Sequence, residues 1–185
     1  FLTANNISSF DYILKNINLD KTNQIIVTLK YKYNFAKKII KNKKNNKIKI
    51  FLEKNTSGTA GCIGEIINKK ITNNFLVING DIFAKLNYKK MMEYHTKGKF
   101  DVTVGITNFQ IKFPYAVLKK KKNKNTFIEK PEFKKKINTG IYAVSKTYAQ
   151  KFFKINNKGK INMTDLIDKS NKIGIYDIGK KWIDI

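Results

Sequence analysis

With 185 residues, 42% hydrophobic and 12% aromatic, the chain has the size of one domain and a globular composition, which excludes a disordered tail or linker. Its formal charge of +25 comes from 38 basic residues, every one a lysine, and the absence of arginine argues against a surface specialised for phosphate or guanine recognition. No apolar run approaches the ~20 residues of a membrane span, Phe1–Phe10 lacks the basic start of a signal peptide, and the single cysteine excludes an internal disulfide.

Along the chain, Gln24–Leu29 is a β-branched apolar run and predicts a buried strand. Tyr33–Ile40 carries apolar residues at helical spacing, and Ile48–Leu52 returns to strand character. Gly61–Lys70 predicts a helix with Ile63, Ile66 and Ile67 on one face. Phe75–Ile78 is the clearest buried strand and stops at the turn signal Asn79-Gly80. Tyr88–Thr96 is helical and Val102–Ile106 is a strand. Beyond about residue 107, short strands are predicted at Ala116–Leu118, Phe127–Glu129 and Ile141–Val144, with Lys119–Lys124 as a solvated hairpin tip. Helices at Ser145–Phe153 (with Ser145 as N-cap) and Thr164–Lys169 precede two last strands, Gly174–Tyr176 and Trp182–Ile185. The alternation of strand and helix predicts a single α/β domain over residues 1–185, built on a mostly parallel sheet covered by helices.

Open parallel sheets bind ligands beyond the carboxyl ends of their strands, which directs attention to the residues there. Asn79-Gly80-Asp81 follows the Phe75–Ile78 strand, and its aspartate suits either a divalent metal or the cap of a turn. Ser57-Gly58-Thr59-Ala60-Gly61 lies between a strand and a helix, where small residues let backbone N–H groups approach a nucleotide. It lacks the Gly-Lys-Ser/Thr ending of a P-loop. Glu129-Lys130-Pro131 presents a carboxylate and an ammonium side by side, suited to sugar hydroxyls and a phosphate, or else forms an exposed charged pair. Asp184 ends a late strand. His95, in polar surroundings within a helix, reads as a surface residue, and Cys62, beside an apolar face, as packed rather than reactive.

The order of these motifs, continued by Pro114-Tyr115-Ala116-Val117, Asn138-Thr139-Gly140-Ile141-Tyr142, Met163-Thr164-Asp165-Leu166 and Trp182-Ile183-Asp184-Ile185, resembles the sugar-1-phosphate nucleotidyltransferases over the whole chain. The texture is closest to bacterial mannose-1-phosphate guanylyltransferase-like members that activate sugars for surface glycans. The resemblance implies a Rossmann-like, open, mixed and mostly parallel sheet of the nucleotide-diphospho-sugar transferase type. It implies cytoplasmic transfer of a nucleotidyl group from an NTP to a sugar-1-phosphate, releasing pyrophosphate. Gly58, Thr59 and Gly61, with Asn79 and Gly80, would bind the nucleotide. Asp81 and Asp184 would hold Mg²⁺. Glu129, Tyr115, Ala116, Asn138, Thr139 and Gly140 would shape the sugar pocket, and Lys130 would clamp the sugar phosphate. Catalysis would rest on Asp81, Lys130 and Asp184, because an anionic phosphate oxygen needs no strong general base.

Two departures stand out. The family has glycine where Ala116 stands, which alters one backbone contact to the sugar. The family's glycine-rich triphosphate loop has no counterpart, and Phe1–Leu14 resembles the segment just downstream of it, with Asn6-Ile7-Ser8 where the family has Lys-Pro. The chain is therefore expected to be incomplete at its N-terminus, a fragment or relic lacking the first strand and signature loop. Two alternatives from other classes are a non-catalytic nucleotide- or sugar-binding module and a lysine-rich polyanion-binding protein. Joint enrichment of lysine, asparagine and isoleucine, as in Lys41–Ile50, favours a composition-driven surface over the latter, so no specific nucleic acid is expected. Strand edges and apolar faces are compatible with a homo-oligomer.

Overall fold

A computed structural model describes residues 3–4, 7–17, 19, 22–43, 45–53, 58–122, 124–156 and 159–184. Two short strands, β1 (Thr3–Ala4) and β2 (Ile7–Ser8), pair antiparallel and lead into helix α1 (Ser9–Asn16). Ser8 caps α1 by accepting a hydrogen bond from the Asp11 amide at 3.0 Å, and Phe10 and Ile13 form its buried stripe. Next come β3 (Ile25–Leu29), α2 (Tyr33–Lys41), β4 (Ile48–Leu52), α3 (Gly61–Lys70) and β5 (Phe75–Ile78). These match the expected elements to within a residue. The turn after β5 leads into β6 (Ile82–Ala84), α4 (Tyr88–Gly98) and β7 (Val102–Lys112). The chain then runs through the hairpin β8 (Val117–Lys121) and β9 (Lys124–Ile128), β10 (Glu132–Val144), α5 (Lys146–Ile155), α6 (Met163–Asp168), β11 (Ile173–Asp177) and β12 (Trp182–Asp184).

The main sheet has the order β11-β7-β10-β5. Its central residues alternate between two cores, as the pleat requires. Tyr142 and Val144 of β10, with Phe75 and Val77 of β5, face Ile63, Ile67, Phe152 and Leu166 of α3, α5 and α6. Ile141 and Ala143, with Leu76 and Ile78, face Ile82, Tyr88 and Met91 on the other side. Residues 141–144 are therefore buried on both faces, and helices cover both sides of the sheet.

The mixed α/β architecture is present, with less parallel pairing than strand–helix alternation predicts. Among the described residues only β11–β7 and β3–β4 are parallel, whereas β10 pairs antiparallel with both β7 and β5. The strands after residue 107 are also longer than their apolar runs. β7 and β10 extend outward as a two-stranded ribbon in which Phe133 lies opposite Ile111 and Lys135 opposite Phe109. Lysines interrupt the hydrophobic pattern there, but cross-strand pairing continues it. The ends of the ribbon carry an ion pair, Lys112 to Glu132 at 2.9 Å, and this partner lowers the Glu132 carboxyl pKa from its ordinary value.

His95 is not a surface residue. It is fully buried under α4, with Nδ1 2.9 Å from the Thr103 hydroxyl on β7. The polar neighbours of His95 in sequence point away from the sheet, and the helical period, not local polarity, decides its fate. Burial lowers the pKa of its imidazole, against a smaller opposing effect from Asp101. Cys62 is packed as expected, and burial, followed by the charge of Glu53, pushes its thiol up to about 11.

Candidate active site at the carboxyl end of the sheet

The predicted residues fall into three groups. The first is a tightly bonded knot beyond β5. The Asn79 amide donates to the carbonyl of Gly140 at 2.9 Å, joining the turn after β5 to β10. The register of β10 against β7 shifts between Asn138 and Tyr142, and Gly140 occupies this bulge at φ +74°. A Cβ on Gly140 would lie 2.7 Å from Asn79 Nδ2, so glycine is required there for both its dihedral and its size. Asn138 is held from two sides: its Oδ1 accepts from the Gly140 amide at 3.0 Å, and its Nδ2 donates to the Tyr142 hydroxyl at 2.8 Å. Burial raises the pKa of that phenol.

Thr139 is almost fully buried and donates its hydroxyl to the Gly105 carbonyl at 2.8 Å. Its own carbonyl accepts from Trp182 Nε1 at 2.9 Å. Trp182 begins β12, which pairs antiparallel with β6 so that Asp184 lies opposite Ile82, the residue after Asp81. The two aspartates predicted to share a metal are therefore neighbours in register although 103 positions apart. Below the turn, Ser9 of α1 is fully buried and donates to the Gly80 carbonyl at 2.6 Å. Tyr12 stacks at a tilt on Phe83 with centroids 5.2 Å apart. Sequence reasoning missed Ser9 and the helix it sits on, although Ser8 three residues before Asp11, with Phe10 and Ile13 following, is a legible start signal.

Asp81 is half-buried, and its Oδ1 is inaccessible and without a hydrogen-bond partner among the described residues. A buried carboxylate oxygen with no donor is costly unless a cation meets it. No group of three or more His, Cys, Asp or Glu side chains suited to a metal occurs among the described residues. Magnesium commonly takes one or two protein carboxylates and completes its shell with water and substrate phosphates, so the Asp81 and Asp184 donors fit that ion.

The second group is the loop before α3. Ser57 lies outside the described residues. Gly58, at φ +82°, and Thr59 dock on the segment preceding α6: Thr59 Oγ1 accepts from the Met163 amide at 2.9 Å, and the Ala60 amide donates to the Ile161 carbonyl at 3.0 Å. Gly61 is buried at the first turn of α3. The third group, Tyr115, Ala116, Glu129 and Lys130, lies on the exposed ribbon, tied by the Phe113 amide to the Pro131 carbonyl at 3.1 Å. No hydrogen bond among the described residues joins it to the knot. Lys130 has φ +43°, a left-handed conformation that costs a non-glycine residue roughly 1–2 kcal/mol. Among the described residues two other lysines share it: Lys99 at the C-terminus of α4, where it is ordinary, and Lys32 ahead of α2; Lys130 lies in the short connection between β9 and β10.

A family model described as Nucleotidyl transferase matches residues 1–185. The chain belongs to the nucleotidyl transferase family. Among curated members of known name, it is 28% identical over 149 residues to a mannose-1-phosphate guanyltransferase of Aspergillus oryzae, covering 76% of this chain and 41% of that protein. It is 30% identical over 162 residues to the bifunctional protein GlmU of Buchnera aphidicola, covering 79% and 35%. The chain spans about two fifths of the length of the first curated relatives. Among solved structures, HddC from Yersinia pseudotuberculosis superposes with a TM-score of 0.65 at 24% identity, over 95% of this chain and 77% of that one. The inositol-1-phosphate CTP transferase from T. maritima gives 0.68 at 11% identity, over 100% and 79%. At these identities the superpositions establish the nucleotidyl transferase fold, and no helix of the described residues is long and apolar enough to cross a membrane.

Proposed function

We propose that this chain carries the sugar-, base- and metal-binding share of a sugar-1-phosphate nucleotidyltransferase. The observation that carries this reading is the convergence of Asn79-Gly80-Asp81, the Gly140 bulge and Asp184 at one end of the sheet, with a buried Asp81 oxygen left unsatisfied. In the reaction, an oxygen of the sugar phosphate attacks the α-phosphorus of an NTP in line. A phosphorus–oxygen bond forms to the sugar phosphate as the bond to pyrophosphate breaks, and NDP-sugar and pyrophosphate leave. The nucleophile is already anionic, so positioning and charge neutralisation replace general-base catalysis.

Asp81 and Asp184 would hold Mg²⁺, which when bound withdraws charge from the transferring phosphoryl group. Glu129 would accept sugar hydroxyls, and Lys130 would neutralise the sugar phosphate, a role consistent with its strained backbone. Asn138, Thr139 and Gly140 would form the floor of the sugar pocket beside Tyr115 and Ala116. Gly58, Thr59 and Gly61 would face the base and ribose, next to Asn79 and Gly80. We assign the activity to the cytoplasm and to sugar activation for bacterial surface glycans, on the Met163-Thr164-Asp165-Leu166 and Trp182-Ile183-Asp184 texture.

The triphosphate grip is the part these residues do not supply. Strands β3 and β5 each have one edge without a partner among the described residues, although both are apolar and half-buried. Helix α3 reaches across both: Cys62 lies beside Thr28 of β3, while Ile63 and Ile67 pack with Phe75 and Val77 of β5. A helix about 10 Å across spans about two strand spacings of ~4.8 Å, which leaves room for one strand between β3 and β5. A strand ending in a glycine-rich loop would fill it. Pyrophosphate exchange with an NTP, a sugar-1-phosphate and Mg²⁺ tests the reading. Little exchange is expected from residues 1–185 alone, and restored exchange when a glycine-rich strand–loop segment is fused ahead of Phe1. Nucleotide binding without exchange in the fused protein would favour a non-catalytic binding module, and full exchange by residues 1–185 alone would show that the loop is dispensable.

A further inference from the structure

Helix α3 begins without a side-chain cap of its own. Its N-cap is Ala60, fully buried and devoid of an acceptor. The loop that delivers Ala60 is instead fastened to a segment 103 residues away. Thr59 Oγ1 accepts from the Met163 amide at 2.9 Å, and the Thr59 amide donates to Asn162 Oδ1 at 3.4 Å. The Ala60 amide donates to the Ile161 carbonyl at 3.0 Å, and a Cβ on Gly58 would collide with that same carbonyl. Asn162 is itself held, because its amide donates to Asp165 Oδ2 at 2.7 Å in a capping box. The segment is anchored in turn: Ile161, Met163 and Leu166 are buried in the larger core, and the Tyr148 hydroxyl donates to the Leu166 carbonyl at 2.7 Å.

From this we infer that Asn162 and Asp165 are positioning residues for nucleotide binding, acting through Thr59 to fix the Gly58–Gly61 backbone. The inference rests on the reading of that loop as the nucleotide loop. The physical reason is that loop amides recognise a ligand only where their directions are set in advance. A glycine-containing loop before an uncapped helix has no local means of setting them. Met163 Nα–H is one of the amides at the start of α6 that lack an intrahelical acceptor, so Thr59 satisfies it while being satisfied itself. Asp165 sits behind Asn162, one bond removed from the loop. It therefore acts on the nucleotide through the latch, and its loss separates positioning from contact.

The test uses the 185-residue chain and a titration with a nucleoside triphosphate and Mg²⁺, followed by backbone amide signals. Hydrogen exchange of residues 58–62 is measured without ligand. Asp165→Ala is expected to speed that exchange and to weaken nucleotide binding about tenfold, the equivalent of losing one charge-assisted hydrogen bond. Sugar-1-phosphate binding should stay unchanged, and Asp165→Asn, which keeps the acceptor, should restore nucleotide affinity. Thr59→Val, isosteric and lacking the hydroxyl, covers the case in which Asp165→Ala fails to fold, with Thr59→Ser as its rescue. Unchanged nucleotide affinity in Asp165→Ala and Thr59→Val, against a parent that binds, overturns the positioning role alone. Where the parent binds no nucleoside triphosphate, the same variants are compared in the protein fused behind a glycine-rich strand–loop segment; no binding there either overturns the functional reading, and this inference with it.

Discussion

Replacing Gly140 with alanine probes the knot at its tightest point. Two costs are expected. The backbone at φ +74° disfavours any Cβ by roughly 1–2 kcal/mol, and the new methyl lies 2.7 Å from Asn79 Nδ2 and 2.9 Å from its Cγ, so the amide must move. Gly179 separates the two effects. It has nearly the same φ, +79°, with nothing within 4 Å of an added Cβ, so Gly179→Ala pays only the backbone strain. Gly140→Ala is therefore expected to destabilise by about 1–3 kcal/mol more than Gly179→Ala, the usual cost of overpacking. For a chain of this length each kilocalorie lowers the melting temperature by about 2–4 °C. Thermal unfolding followed by circular dichroism reads the difference. Asn79→Ala combined with Gly140→Ala should recover part of it, because the two colliding amide atoms are gone. Equal melting temperatures for the two single variants would show that Asn79 does not wall Gly140, and the knot as described would be wrong.

The metal reading predicts that Asp81→Asn and Asp184→Asn each abolish the strengthening of nucleotide binding by Mg²⁺, seen by titration with and without the ion. Without ligand, Asp81→Asn should melt no lower than the parent, since its buried Oδ1 has no hydrogen-bond donor among the described residues. A clear loss of stability would make Asp81 a structural cap. His95 predicts an acid sensitivity. Its folded pKa lies below its ordinary value of 6.5, so the unfolded chain takes up the proton first, and stability falls as pH drops below about 6.5 until the folded pKa is passed. Denaturant unfolding at pH 7.5 and 5.5 should show a smaller pH dependence in His95→Gln than in the parent. An unchanged dependence would move the effect to other groups.

Much of the architecture was legible in the chain. The runs Ile25–Leu29, Ile48–Leu52 and Phe75–Ile78 are short, β-branched or aromatic and bounded by polar residues, so their strands follow from local pattern. The Gly61–Lys70 helix was legible to the residue, because its isoleucines repeat at helical spacing. The outer halves of β7 and β10 were not. In β10 the run Lys134–Lys136 leaves no period, and in β7 only Phe109 and Ile111 alternate with polar residues, too short a signal to mark a strand; pairing with each other makes both of them strands. Strand β6 was hidden for a related reason. Three residues carry too little pattern, and pairing with β12 defines it.

The site divides in the same way. Local pattern singled out Asn79 and Asp81, at a turn after an apolar strand, and Asp184, an acid at a strand end, whereas Gly140 entered through motif order and the resemblance it carries. Family membership rests on that order, and the match over residues 1–185 accords with it. Which residues meet was settled only in three dimensions. Ser9 under Gly80, Trp182 on the Thr139 carbonyl, and Asn162 with Asp165 behind Thr59 are contacts between residues 43 to 104 positions apart. Contacts at that separation depend on how the sheet and helices pack, which no local sequence signal encodes. His95 makes the same point: its neighbours in the chain are polar, and its neighbours in space are the core.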